Sequence, residues 1–443
     1  MKVDDWLARA AEALPERPAL VARDRSLSFA ELEAEARATA RRLAGAGIGR
    51  GDRVALVLEP AAGYVVLLHA LTKIGAVAVP VDHKAPAAAT DRLLAAAAPK
   101  LVLRSIDELA AGPGPDIEFG VDFETDDGHC VIHTSGTAGD PAAIELTYGN
   151  HLWSAIGAGV RIGVAPTDRW LCCLPLHHIG GLSIVVRCAL YRIPIVLEPF
   201  EAAATAATIE REGVTIVSLV PTMLARLLDA DAPLDRLRCA VIGGAAAPRA
   251  LIERALGAGA PVAPTYGLTE TASQVATMPP AETAARPDSA GPPILSTEVR
   301  IDADGRICVR GPTVAPGSAG EDGWLVTGDL GRIDEDGYLY VLGRADDVIV
   351  TGGKNVSPAE VEETLLEHPG VADAGVGGRE DAEWQQAVVA HIVVAPDGDG
   401  PSEEDLRAFC RERLASYKVP KAFVFVAELP RNAQGKLERH RLE

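Results

Sequence analysis

The chain lacks a basic excess. Its 443 residues carry 42 Lys plus Arg against 62 Asp plus Glu, a net charge of −20. Nucleic-acid binding rests on neutralising phosphates with basic side chains, so no nucleic-acid partner is expected. Docking on an anionic membrane is disfavoured by the same sign. An anionic ligand must be gripped by local donors working against the global field. Paired cysteines are lacking too. There are seven, with Cys172 and Cys173 adjacent and no CxxC, which reads as a reduced cytosolic protein with buried thiols. The polar, acidic start at Met1–Asp5 carries no secretory pattern, so the expected location is cytoplasmic. No uninterrupted apolar run reaches membrane length. The stretch Ala61 to Val81 contains His69, Lys73 and Pro80, and reads as a helix followed by a buried strand. The ten histidines form neither HExxH nor a Cys/His pattern with zinc spacing, so no metal cluster is expected. Internal repeats are absent as well.

What is present is a large folding potential. Hydrophobic residues make up 48% and charged residues 23%, which excludes disorder of the whole chain and allows two to four domains. Apolar runs at Val54–Leu58, Ala76–Val81, Leu101–Leu103, Ile195–Leu197, Val214–Leu219 and Ala240–Ile242 alternate with helical patterns such as Thr222–Leu228 and Pro248–Leu256. That alternation predicts an α/β fold with largely buried sheets. From Ala290 to Gly337, Gly, Pro and Asp become frequent, and Glu298–Ile301 and Arg306–Val309 flank Asp304-Gly305 as an antiparallel hairpin. The polar break Gly343–Asp347 divides the chain into a large domain of layered sheets and helices, 1–343, and a smaller α+β lid, 344–443. In the lid, Ser357-Pro358-Ala359-Glu360 reads as a helix start with a capping box, and Ser402–Asp405 as a second start. Strands are expected at Gln386–Val394 and Ala422–Val426.

Five motifs carry chemistry. Thr134-Ser135-Gly136-Thr137-Ala138-Gly139 follows an apolar run and offers hydroxyl and backbone N–H donors to a polyphosphate. It is not a Walker A loop. In Tyr266-Gly267-Leu268-Thr269-Glu270 the aromatic suits a base, the hydroxyl a phosphate oxygen and the carboxylate Mg²⁺. Asp329, within Thr327–Gly331, suits a ribose diol. The remaining two are Gly343–Asp347, with Gly352-Gly353 downstream, and Asn432–Lys436. Each alone also fits an ordinary turn or a solvated charge.

In this order and spacing the five resemble the adenylate-forming superfamily over nearly the whole chain. A narrower block resembles the o-succinylbenzoate–CoA ligase family of menaquinone biosynthesis. It runs through Leu146–Ala155, Leu174–Ser183 with Arg187, and Tyr266–Gln274. The resemblance implies an ATP-dependent acid–CoA ligase using Mg²⁺ and CoA, acting on a small carboxylic acid through an acyl-adenylate. A homodimer is compatible with it. By the same resemblance Lys436, Thr269 and Glu270 are catalytic, and Glu270 also holds Mg²⁺. ATP contacts fall to Thr134, Ser135, Gly136, Thr137, Gly139, Gly244, Ala245, Tyr266, Gly267, Asp329 and Arg344. The acid pocket takes His178, Arg187, Ser273 and Gln274. Gly352 and Gly353 leave room for the pantetheine arm of CoA, and Asp346 is the hinge about which the lid turns.

Two departures stand out. His177 replaces the aromatic residue that usually precedes the motif histidine. The phosphate loop reads Pro141-Ala142-Ala143 where the family has Pro-Lys-Gly. Losing one phosphate donor predicts adenylation slowed on the order of 10²–10³. Three rivals remain: another small aryl- or acyl-CoA synthetase, a non-catalytic nucleotide-binding relative, and a stand-alone adenylation domain that loads a carrier protein.

Overall fold

In the computed structural model, residues 1–109, 112, 114–117, 119, 122–134, 142–381, 384–396, 400–431 and 437–442 are described. Two sheets dominate the first three hundred residues. One has five strands, in the order Leu101–Leu103, Arg53–Leu56, Val77–Pro80, Gly128–Thr134, Ala142–Thr147. The other has eight, in the order Ser273–Thr277, Val262–Leu268, Cys239–Ile242, Ile216–Leu219, Trp170–Cys172, Ile195–Leu197, Pro18–Ala22, Ser26–Ser28. Their central strands are parallel and buried on both faces, which is why they read as short continuous apolar runs. One continuous core joins both sheets through the helices Phe29–Gly45, Ala62–Lys73 and Ile179–Tyr191. Ala61 to Val81 divides as expected, into the helix Ala62–Lys73 and the strand Val77–Pro80.

Glu298–Ile301 and Arg306–Arg310 form the expected antiparallel hairpin. It opens a four-stranded sheet with Leu325–Ile333 and Leu339–Arg344. The last hundred residues build their own sheet around the long pair Val371–Asp381 and Gln385–Val394, with Ala422–Phe425 parallel to the latter. The helices Pro358–Leu366 and Glu403–Arg413 cover its separate core.

Ser402 and Asp405 make the reciprocal cap. Ser357 does not: its hydroxyl donates to Leu342 O at 2.8 Å, and Glu360 pairs with Lys418 instead of closing a box. The bond to the adjoining strand turns the Ser357 oxygen away from the helix N–H groups, and the lysine draws Glu360 by charge. All seven cysteines are free and buried. No described helix is long and apolar enough to cross a membrane.

Candidate active site

In open parallel sheets, ligands meet the carboxyl ends of the strands. Several of the expected site residues lie at such ends. Thr134 ends the strand Gly128–Thr134. Gly244 and Ala245 follow Cys239–Ile242, and Tyr266 and Gly267 close Val262–Leu268. His178 lies beyond Trp170–Cys172, at the N-cap of the helix Ile179–Tyr191. Ser135, Gly136, Thr137, Gly139 and Lys436 lie outside the described residues.

Three residues expected at the nucleotide site, far apart in sequence, are directly joined. The Tyr266 hydroxyl donates to Asp329 Oδ2 at 2.7 Å, and Arg344 Nη1 approaches Asp329 Oδ1 at 3.5 Å. Register explains the second contact, because Asp329 and Arg344 are cross-strand partners. Burial and the Asp329 charge push the Tyr266 phenol upward, so it stays protonated and keeps donating. Two donors leave the carboxylate spare lone pairs for a diol.

The turn after Tyr266 is held in an unusual shape. Ala272 and Ser273 have φ of +51° and +99°, left-handed values that cost a non-glycine residue about 1–3 kcal/mol. A Cβ on Gly267 would stand 1.6 Å from Ser273 O, so only glycine lets the chain fold back there. The turn presents Thr269 and Glu270 at the sheet edge. Among the described residues the half-buried Glu270 carboxylate has no hydrogen-bond or ion-pair partner. An unengaged carboxylate of this kind suits Mg²⁺.

The residues expected to line an acid pocket include unmet polar groups. Arg187 is 3% exposed, on the buried face of its helix. Its Nη2 donates to Ser154 Oγ at 3.1 Å, its guanidinium lies 5.8 Å from the Trp170 ring, and its Nε has no partner. Among the described residues no carboxylate pairs with it. Desolvation therefore lowers its pKa. Ser154 in turn donates to Ala272 O at 2.6 Å, which ties Arg187 to the strained turn. Gln274 is 2% exposed, and neither end of its amide is hydrogen-bonded. The helices Tyr148–Ile162 and Ile179–Tyr191 both pack on the strand Ser273–Thr277, so Arg187, Ser273 and Gln274 share one region.

The His178 ring lies 4.2 Å from that of His177, and burial, then His177, pushes His178 down to about 4. Burial therefore favours the neutral imidazole at physiological pH. Asp82 and His83, beyond the strand Val77–Pro80, act electrostatically on His177.

The sequence did not single out Ser154. Its signal is spacing: Tyr148, His151 and Ser154 fall three apart on one buried helix face. The fold also gathers His129, Cys130 and His151, a buried group that residue spacing did not reveal. In the lid, Gly353 faces open space. The room expected over Gly352 is taken by Trp384, whose ring a Cβ would meet at 2.8 Å. Asp346 is exposed in the turn Ala345–Asp347, with Arg344 Nη2 at 3.8 Å.

The chain matches two family models, the AMP-binding enzyme over residues 7–318 and the AMP-binding enzyme C-terminal domain over residues 360–436. It is 39% identical to the 2-succinylbenzoate–CoA ligase of Bacillus licheniformis, covering 99% of each chain. With that of Geobacillus kaustophilus it shares 41% identity, over 99% of this chain and 97% of the relative. Among solved structures it resembles the o-succinylbenzoate CoA synthetase of Bacillus subtilis in complex with its acyl-adenylate intermediate. There the TM-score is 0.92 at 36% identity, over 100% of this chain and 98% of the other. The same enzyme with ATP and magnesium gives 0.91 at 36% identity, with both chains fully covered. The chain thus belongs to the AMP-binding, adenylate-forming enzymes, in the group of AMP-forming acid–CoA ligases that contains the 2-succinylbenzoate–CoA ligases.

Proposed function

We propose that the chain converts 2-succinylbenzoate to its CoA thioester, the reaction its relatives are named for, and that it does so in menaquinone biosynthesis. A carboxylate oxygen of the acid attacks the α-phosphorus of ATP, and pyrophosphate leaves. The CoA thiol, losing its proton, then attacks the acyl carbon of the adenylate, and AMP leaves. The first step brings two anions together, so the protein helps mainly through positioning and electrostatics.

Tyr266, Gly244 and Ala245 hold the adenine, and Asp329 and Arg344 the ribose. Thr269 takes the α-phosphate, Thr134 with Ser135, Gly136, Thr137 and Gly139 cradles the phosphates, and Gly267 keeps the turn closed. Glu270 holds Mg²⁺, which supplies charge neutralisation on the phosphates when bound. Lys436 contacts the reacting carboxylate during adenylation. The lid, residues 344–443, then turns about Asp346 and brings Gly352 and Gly353 to the thioester site, where Trp384 must give way over Gly352. On this reading the enzyme is cytoplasmic, and a homodimer is compatible with it.

The observation that carries the substrate choice is Arg187, a buried cation without a carboxylate partner among the described residues. Such a charge is costly unless an anion meets it. The unreacting carboxylate of 2-succinylbenzoate is that anion, and Gln274 supplies a donor and an acceptor beside it. His178 and Ser273 complete the wall. Acid-dependent ATP–pyrophosphate exchange tests this. Exchange with 2-succinylbenzoate and not with aromatic or aliphatic monoacids supports the reading, and equal exchange with monoacids contradicts it. Ala142 favours one second reading, a chain that binds ATP without reacting. It requires silence with every acid.

A further inference from the structure

We propose that His129, Cys130 and His151 form a buried three-coordinate site for a soft monovalent d¹⁰ cation, Cu⁺. One ligand atom from each residue lies within 4.8 Å of the other two, and all three residues are buried. Cys130 Sγ and His151 Nε2 are 3.3 Å apart. Metal–ligand bonds of about 2.0–2.3 Å place thiolate and imidazole ligands roughly 3.5 Å from one another, so small side-chain rotations close the set.

The backbone builds this group deliberately. Neighbours on a strand normally point to opposite faces. Here the strand Gly128–Thr134 shifts register against Ala142–Thr147 between Gly128 and Cys130. Two steps on one strand match the single step from Thr147 to Leu146 on the other. The bulge releases His129 and Cys130 from alternation. His151 follows Asn150, whose side chain closes the capping box with Thr147 and also donates to Pro312 O and Val314 O. The third ligand is therefore set by a doubly anchored helix start.

Hydrogen bonding also prepares His129. The Thr72 hydroxyl donates its one proton to Leu68 O at 3.1 Å. With that proton on Leu68 O, the hydroxyl accepts towards His129 Nε2, 3.4 Å away, an arrangement that puts the ring proton on Nε2. That leaves Nδ1 with a lone pair, and this buried atom has no partner. A neighbour that fixes the tautomer and frees the other nitrogen is the arrangement found behind metal-bound imidazoles.

Charge selects the ion. Two neutral imidazoles and one thiolate balance a monovalent cation. A divalent ion would leave a buried net positive charge, and the Arg187 guanidinium already acts on His151. Thiolate and imidazole are the ligand types that suit Cu⁺. Binding displaces the Cys130 proton to solvent and leaves the copper oxidation state unchanged. Neither ATP nor the acid takes part, so the proposal stands apart from the catalytic reading.

The test is metal analysis of the full chain, expressed in copper-supplemented and in zinc-supplemented medium and purified without chelator. The expected result is close to one copper per chain from the first culture, falling below about a tenth in Cys130→Ser and His151→Gln. X-ray absorption of the loaded wild type should show one sulfur and two nitrogen neighbours, a readout that survives if the variants fail to fold. The proposal is overturned by a folded wild type holding less than about a tenth of a copper, by zinc in its place, by copper retained in Cys130→Ser, or by a copper shell without sulfur.

Discussion

Replacing Arg187 by methionine separates a substrate contact from a structural one. Methionine keeps much of the length and removes the charge. In the free protein the guanidinium is 3% exposed, with one hydroxyl and one aromatic ring as partners. Ser154 still donates to Ala272 O after the change, so no buried donor is orphaned. Removing a desolvated, unpaired charge should stabilise the free fold by about 1–3 kcal/mol. The melting temperature should rise on the order of 2 °C. Towards 2-succinylbenzoate the sign reverses. A buried carboxylate left without its cation costs about 3–5 kcal/mol, so kcat/KM should fall on the order of 10²–10³ or more, mainly through KM. The analogue in which hydrogen replaces the unreacting carboxylate should lose little. The assay is CoA-thioester formation with each acid, alongside thermal unfolding. Equal losses for both acids, or a destabilised variant, would refute the reasoning.

Further perturbations probe the rest of the site. Gly267→Ala places a Cβ against the Ser273 carbonyl and should displace the turn bearing Thr269 and Glu270. A roughly 10²-fold loss of kcat/KM with unchanged far-UV circular dichroism is expected. Ala142 is exposed opposite Thr134 on its hairpin, so Ala142→Lys returns a cation to the phosphate edge. It should speed pyrophosphate exchange by on the order of 10²-fold, and an unchanged rate would mean that the loop is compensated elsewhere. Burial holds His69 and His178 at about 4 in the folded chain, against about 6.5 unfolded. The unfolded chain then binds the extra protons, so stability is full above pH 6.5 and is lost as pH falls towards 4. These two groups contribute a loss of about 3 kcal/mol per pH unit, and the urea midpoint should drop steeply from pH 6.5 to 5. A flat midpoint would contradict this.

Much of the fold was legible because buried parallel strands are short apolar runs and their helices are amphipathic. The split of Ala61 to Val81 and the hairpin at Asp304-Gly305 followed from local pattern alone. Candidate site residues could be named where residue type is tied to ligand chemistry, as in Tyr266–Glu270 and Asp329, and the structure joins two of these, Tyr266 and Asp329. What stayed hidden was tertiary. That Tyr266 donates to Asp329 depends on one sheet meeting another. Ser357 caps nothing because the bond to a strand fifteen residues earlier turns its oxygen away from the helix N–H groups. His129 and Cys130 meet His151 only through a bulge, which leaves no spacing to read. Ser154 belongs to a polar stripe at helical spacing, a pattern open to sequence reading but silent about its partner, Arg187.

The central claim is that one site makes an adenylate of 2-succinylbenzoate and passes it to CoA. Single-turnover mass analysis of the purified chain with ATP, Mg²⁺ and CoA tests it most directly. 2-Succinylbenzoate is compared with a panel of benzoates, cinnamates and fatty acids, and AMP and thioester are counted together. The account requires equal AMP and 2-succinylbenzoyl-CoA, with an acyl-adenylate accumulating when CoA is withheld. Thioester formed preferentially from another acid, or no adenylate with any acid while ATP still binds, would contradict it.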